Sequence, residues 1–397
     1  AELDDATLLG ADLTGANLSH AGLDDADLSG ADLTGANLSH AELDDATLLG
    51  ADLTGANLSD ADLDYADLQY ATLVNADLSY AWIFDASLEY ADLSGANLSD
   101  AYLDYADLSD ATLVNADLSY AYLNDVYLRG ADLTDADLSY ADLEGAYIDA
   151  ATLVDADLSG ADLNYTSLQE ADLSGADLSD ADLSNAYLTG VDLTGADLSD
   201  ANLYYADLQY ATLVNAYLTD AHLGDASLEH ADLTGADLAG ANLTYADLAD
   251  ATLVNADLTG ADLGNADLVD GDLSGADLTS ADLTHAYLSY VDFEDATLVD
   301  ADLSHADLDN VDFVNADLTG SNLSGANLTN ADFTGAIIDS STDFSSVKKL
   351  SGAIFAEADL SGRNFSIDSI NMIETDFAGA DLSGATLVGS DFSGAIL

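Results

Sequence analysis

The stretch ADLTGANLSH, residues 11–20, decides the fold. It holds two copies of a five-residue unit, Ala-Asp/Asn-Leu-Ser/Thr-X, and the unit runs in register from Ala1 to about residue 340. Ala11 and Leu13 lie two residues apart, as do Ala16 and Leu18, so in an extended chain each Ala and its Leu point to one side. The intervening Asp12 or Asn17 points to the other. Ser or Thr followed most often by Gly, Asp, Asn or Tyr closes each unit and lets the backbone bend once per five residues. A helix fails the pattern: five residues advance about 500°, which carries each successive Leu roughly 140° round the axis and leaves no apolar face. A coil of short extended sides, with Ala and Leu inside, satisfies it.

Longer periods set the number of sides. Residues 1–20, 21–40 and 41–60 are near copies, and Ala-Thr-Leu-Val recurs at Ala71, Ala111, Ala151, Ala211 and Ala251, separated by multiples of twenty. Twenty is four fives, so the spacing predicts a four-sided coil that grew by duplicating whole turns. Residues 1–340 then make 340/20 = 17 turns, and the chain about 20 coils. At about 4.8 Å per turn the regular part is expected to be a rod roughly 80 Å long. A length of 397 residues would otherwise suggest two or three domains; unbroken periodicity favours one all-β solenoid.

With ADLTGANLSH at 11–20, ADLSGADLSD at 171–180 and dozens of similar pairs, the sequence resembles the pentapeptide repeat family, whose consensus is Ala-(Asp/Asn)-Leu-X-X. The resemblance implies a right-handed quadrilateral β-helix with Leu or Phe inside and no long helices. For function it implies less. The best-understood members of that family look like a DNA duplex and inhibit gyrase, while most have no assigned activity.

Charge is the dominant feature of the composition. Four Lys plus Arg stand against 77 Asp plus Glu, a formal net charge of −73. Like charges on adjacent turns, about 4.8 Å apart, repel by about 0.9 kcal/mol in bulk water. High salt, divalent cations or a basic protein partner should therefore stabilise the coil. Such a surface also suits a saline environment, and the expected location is extracellular or at the cell surface, or cytoplasmic for a DNA mimic. Cys is absent, which removes disulfides and thiolate sites; Pro is absent too, which leaves every ladder N–H free to bond. No apolar run approaches membrane-spanning length. The chain begins in mid-pattern at Ala1 without Met or signal peptide, the expected appearance of a processed or partial chain.

Taken in order, the first three turns are the most regular, with Asn17, Asn37 and Asn57 placed for an amide ladder. With no capping segment before Ala1, the first turn is expected to present open strand edges. Tyr65, Tyr105, Tyr165, Tyr205 and Tyr245 share one corner, and Val74, Val114, Val154, Val214 and Val254 share one outward column. Trp82 and Phe84 flank the inward Ile83 and should both point out. These residues form the expected contact surface between copies, although simple copying of a decorated turn accounts for the same pattern. Phe293, Phe313 and Phe333, twenty apart, are expected to stack inside. From 341 to 397 the solenoid continues with register slips: inward positions advance by six from Ile338 to Phe344 and again to Leu350, by fives through Phe355, Leu360, Phe365 and Ile370, then by seven to Phe377. Bulges or small loops are expected near 339–350 and 371–375. Lys348, Lys349 and Arg363 fall in this segment, so a less acidic end facing Glu2, Asp4 and Asp5 would favour head-to-tail joining.

Catalysis needs unlike groups converging in a pocket, and a narrow coil filled by Leu supplies none. No catalytic residue or cofactor is expected. His20 with His40, and His285 with His305, stand at equivalent corners one turn apart as weak metal candidates, while diffuse Ca²⁺ or Mg²⁺ association with the Asp arrays fits carboxylate chemistry better. The Asn-Leu-Ser/Thr triplets are by-products of the consensus. The leading expectation is a non-enzymatic structural protein that joins end to end or laterally into a filament, sheath or matrix, with cations bridging its carboxylates and itself as partner. The alternatives are a DNA mimic that binds a topoisomerase such as gyrase, with no direct nucleic-acid binding of its own, and a passive spacer or stalk.

Overall fold

The computed structural model describes residues 1–356, 358, 360–361, 372–386 and 392–396. They fall into two compact units, Ala1–Asn202 and Leu203–Leu397. Each unit is a four-sided β-coil without helices among its described residues. Every side contributes one residue to a parallel ladder, and the partner lies twenty residues on: Glu2 pairs with Gly22, Gly22 with Glu42, Glu42 with Asp62 and Asp62 with Trp82. Three backbone hydrogen bonds per side hold adjacent turns. In the second turn Leu23 N–H donates to Glu42 O at 2.7 Å, Asp25 N–H donates to Asp44 O at 2.9 Å, and Glu42 N–H donates back to Ala21 O at 2.9 Å.

The residue pattern explains each part of this geometry. Leu23, Leu28, Leu33 and Leu38, one per side, are fully buried and fill the coil, and Ala21, Ala26, Ala31 and Ala36 leave room for them. The corner between sides is a turn closed by a bond such as Ala26 N–H to Leu23 O at 3.0 Å. Its second central residue, the fifth of the unit, has positive φ all along the chain, from Asp5 (56°) to Asn330 (57°). That conformation favours Gly, Asn and Asp and strains other residues, yet Tyr65 (59°), Tyr105 (63°) and Ala150 (55°) adopt it. Ala150 is exposed and its side chain ends at Cβ, so it gains little in return. Replacing Ala150 by Gly is expected to stabilise unit 1 by roughly 0.5–1 kcal/mol, the left-handed strain removed less the entropy Gly adds to the unfolded chain. A urea titration reads it directly.

The second residue of each unit does more than point outward. Its side-chain oxygen accepts the N–H of the fourth residue: Asp132 Oδ1 takes Thr134 N–H at 3.1 Å and the Thr134 hydroxyl at 2.6 Å. Asn17 does the same for Ser19, at 3.2 and 2.9 Å. Thus Asp or Asn followed two residues later by Ser or Thr is a side-chain-closed turn that pre-forms the corners where it occurs. Among the described residues four buried hydroxyls also replace the usual inward Ala and find carbonyls; Thr166 Oγ1, for example, donates to Leu143 O at 2.9 Å.

Unit 2 keeps the twenty-residue register until Asp317 pairs with Ile337. Asn322 then pairs with Asp343, Asn327 with Lys349 and Asp332 with Ile354, so the step grows to twenty-one and then twenty-two. The additional residues fall in the 338–348 stretch, where the Thr342 hydroxyl donates to Leu318 O at 2.8 Å and ties the irregular stretch to the regular turn before it. Phe344, Leu350, Phe355, Leu360 and Phe377 are all buried. Phe365, Ile370 and Arg363 lie outside the described residues.

Candidate functional site

Positions two, four and five of each unit face outward, and the twenty-residue register stacks them into columns. On one side of unit 1 Trp82 packs on Tyr102 (ring centroids 4.9 Å apart), and Tyr102 stacks on Tyr122 at 4.8 Å with the planes 2° apart. A neighbouring side stacks Tyr127 on Tyr147 at 5.0 Å, and one corner stacks Tyr120 on Tyr140 at 5.2 Å. Trp82 remains 53% exposed and Tyr122 43%, so these ribbons face solvent. Tyr102, Tyr122, Tyr127 and Tyr147 are functional candidates that sequence reasoning overlooked. The signal was present: Tyr stands where the unit calls for Asp or Asn, twice at a spacing of twenty.

The expected contact residues do not gather into one surface. Tyr65, Tyr105 and Tyr165 lie on one corner of unit 1 but are interrupted by Asp85, Asp125 and Gly145. Phe84, half-buried, joins two of them edge to face, 5.7 Å from Tyr65 and 5.5 Å from Tyr105. Phe84 and Trp82 therefore belong to separate columns. Val74, Val114 and Val154 are half-buried at position four and alternate with Ser94 and Thr134, so no continuous apolar strip results. In unit 2 Val214 and Val254 are likewise separated by Thr234, and Tyr245 is the most exposed tyrosine at 62%. Tyr205 packs against Tyr204 at 4.2 Å. Hydrogen bonding to Tyr205, with burial and Asp225, pushes the Tyr204 phenol up to about 12.

Carboxylates fill most of the remaining second positions and recur at the fourth and fifth. Asp24, Asp44 and Asp64 stand at position four of successive turns, and burial raises each above its usual value; neighbouring carboxylates add to the rise. Burial also raises Asp162 and Asp312, each between two further Asp of its ladder. Asp27, Asp32 and Asp339 are held low, first by the Ser or Thr hydroxyl two residues on. Asn relieves some ladders: Asn97 Nδ2 donates to Asp77 Oδ1 at 3.2 Å and Asn202 Nδ2 to Asp182 Oδ1 at 3.0 Å. Arg129 is tied to Asp149 at 2.7 Å. Glu2, Asp4 and Asp5 lie in the first turn of unit 1, where Glu2 pairs with Gly22; Lys348 and Lys349 are exposed in unit 2, where Lys349 pairs with Asn327.

His20 and His40 stack at 4.8 Å, and His285 and His305 at 5.0 Å. The nearest carboxylate oxygen to His40, on Asp60, is 3.8 Å away. Among the described residues no group of three or more His, Asp and Glu is arranged to hold a metal ion. No helix among them is long and apolar enough to cross a membrane.

A coil of five-residue sides is itself a family signature, and the family model for pentapeptide repeats (8 copies) matches segments from residues 1–39 through 296–335, and again 369–397. The chain belongs to the pentapeptide repeat family. Its right-handed four-sided β-helix is the fold of that family. Among solved pentapeptide repeat proteins it is similar to HetL from Nostoc sp. strain PCC 7120, a protein involved in heterocyst differentiation regulation, at 30% identity over 62% of this chain and 89% of HetL, with a TM-score of 0.22. It is similar to full-length QnrB1, a plasmid-mediated fluoroquinolone resistance protein, at 19% identity over 53% and 90% of the two chains, TM-score 0.22. A pentapeptide repeat protein from the Arabidopsis thaliana thylakoid lumen matches at 27% identity over 31% and 70%, TM-score 0.19. Comparison with curated proteins gave no match. The surface of this pentapeptide repeat protein combines stacked tyrosines with an almost purely anionic background.

Proposed function

We propose that this pentapeptide repeat protein is a non-catalytic structural protein that associates laterally with further copies of itself when cations screen or bridge its carboxylates. The exposed Trp82–Tyr102–Tyr122 ribbon carries this reading. Stacked aromatic rings at a solvent-facing side are interface chemistry, large in area and low in conformational entropy. At −73 net charge two copies repel until counterions intervene, which makes association conditional on salt or Ca²⁺.

Electron microscopy and sedimentation across a NaCl and CaCl₂ series test it. Ordered assemblies should appear as Ca²⁺ rises, disperse on chelation, and be lost in Tyr102→Ser/Tyr122→Ser. Discrete particles under every condition would overturn the reading. One observation favours a second: Asp137, Asp157, Asp177 and Asp197 pair in sequence, one carboxylate per turn, a regular anionic array that suits a basic DNA-binding groove. Inhibition of gyrase supercoiling by the discrete protein would support that alternative.

A further inference from the structure

A groove of about 550 Å³ opens on the corner of unit 1 above Phe84. Its floor is Gly145, at φ +70°, where an added Cβ would lie 2.9 Å from Asp125 Oδ1. The missing side chain makes room for the Asp125 carboxylate, and the notch lies between Tyr105 and Tyr165, which stand three turns apart on the column. Phe84 braces the Tyr105 ring edge to face at 5.5 Å. Three carboxylates, Asp104, Asp125 and Glu144, complete the lining. Asp104 is fixed by accepting Asn124 N–H at 3.0 Å, and Asp125 draws the Tyr105 phenol through its charge and a hydrogen bond.

Half-exposed aromatic faces alone would invite any apolar ligand, and carboxylates alone any cation. Together in one notch they fit a cation that also has a face. A guanidinium stacks on tyrosine and forks to a carboxylate; an ammonium is a hydrated point charge that does only the second part well. The three turns between Tyr105 and Tyr165 span about 14 Å, enough for a short extended segment. A second copy of this chain is a poor donor: of its four basic residues Arg129 is already paired with Asp149 at 2.7 Å. We propose that the Tyr105–Gly145–Tyr165 notch binds an arginine-bearing segment of a basic partner protein, by stacking guanidinium groups on the tyrosines and pairing them with Asp104, Asp125 and Glu144. The site does not depend on self-association, since its occupant supplies the cations that a second copy, with four Lys and Arg against 77 Asp and Glu, carries only sparsely.

Fluorescence anisotropy of the full chain with labelled hexa-arginine and hexa-lysine peptides at physiological salt tests it. Hexa-arginine is expected to bind about tenfold tighter than hexa-lysine. Tyr105→Asn removes the aromatic face with a residue that tolerates positive φ, and Gly145→Asn fills the notch with the charge unchanged. Each is expected to cost about tenfold in hexa-arginine affinity and to leave hexa-lysine binding nearly unmoved. Asp125→Asn should weaken hexa-arginine more than Asp272→Asn, the same loss of charge in unit 2. Melting curves confirm that each variant is folded. Equal affinity for both peptides, or hexa-arginine binding insensitive to both Tyr105→Asn and Gly145→Asn, would reduce the groove to a stretch of general anionic surface and overturn the proposal.

Discussion

Raising NaCl from about 0.1 M to about 1 M is expected to raise the melting temperature by roughly 10 °C. Stacked carboxylates on adjacent turns, such as Asp137, Asp157, Asp177 and Asp197, are spaced by the ladder itself and cannot move apart without breaking it. Screening cuts each adjacent repulsion by about 0.3 kcal/mol over that range, and the pairs of one unit sum to about 3 kcal/mol. Acid should act in the same direction at first. Asp24, Asp44, Asp64, Asp162 and Asp312 hold their protons more tightly folded than unfolded. Stability therefore rises as pH falls through their raised folded values, and the gain is complete below the usual carboxylate value of 3.8. Asp27, Asp32 and Asp339 work the opposite way, giving stability above 3.8 that is lost as pH falls through their lowered folded values. Melting temperature measured from pH 7 downward should climb toward the carboxylate range and then turn over. A steady fall from pH 7 would show that paired carboxylates, rather than crowded ones, dominate this protein.

The coil was legible because Ala and Leu alternate with outward Asp at a fixed step, and because near-copies of twenty residues put Leu23 and Leu43 on one side. The change of register was legible in the inward positions, which advance by six from Ile338 to Phe344 and again to Leu350; that the rings of Phe333, Phe355 and Phe377 stay stacked across it emerges only from the structure. What stayed hidden follows from the same regularity. Each Asp looked like a solvated outward residue, so the bond from Asp132 to Thr134 two positions on was read only as turn composition. The fifth position takes Gly, Asp and Asn but also Tyr, His and Ala, and this mixture masked its uniform positive φ. The site was legible only in part for a geometric reason. Tyr65 and Tyr105 share a corner, but their aromatic partner is Phe84, from the turn between and a different position of its unit. A column read down the sequence at one spacing cannot reveal contacts that cross columns.

Phe313→Ala is expected to destabilise unit 2 by about 3–5 kcal/mol, whereas Phe313→Leu should cost about 1.5 kcal/mol or less. Phe313 is fully buried between Phe293 and Phe333, with ring centroids at 5.3 and 5.1 Å, and the stack continues through Phe355 to Phe377. Alanine removes the ring and leaves a cavity that the ladder holds open, because the backbone stays bonded to both neighbouring turns, Asp312 N–H to Val291 O and the residue-313 N–H to Asp332 O. Leucine refills most of that volume; the same side of the coil already uses Leu273 one turn before Phe293. The difference matters because each turn of a solenoid touches only its neighbours. A cavity at Phe313 weakens both of its interfaces at once, and the two stacked rings beyond each lose a partner. Hydrogen exchange should therefore show accelerated opening centred on residues 291–335 in the Ala variant and near-native protection in the Leu variant. Uniform loss of protection across unit 2 in Phe313→Ala would mean that the unit unfolds as one cooperative block instead of turn by turn.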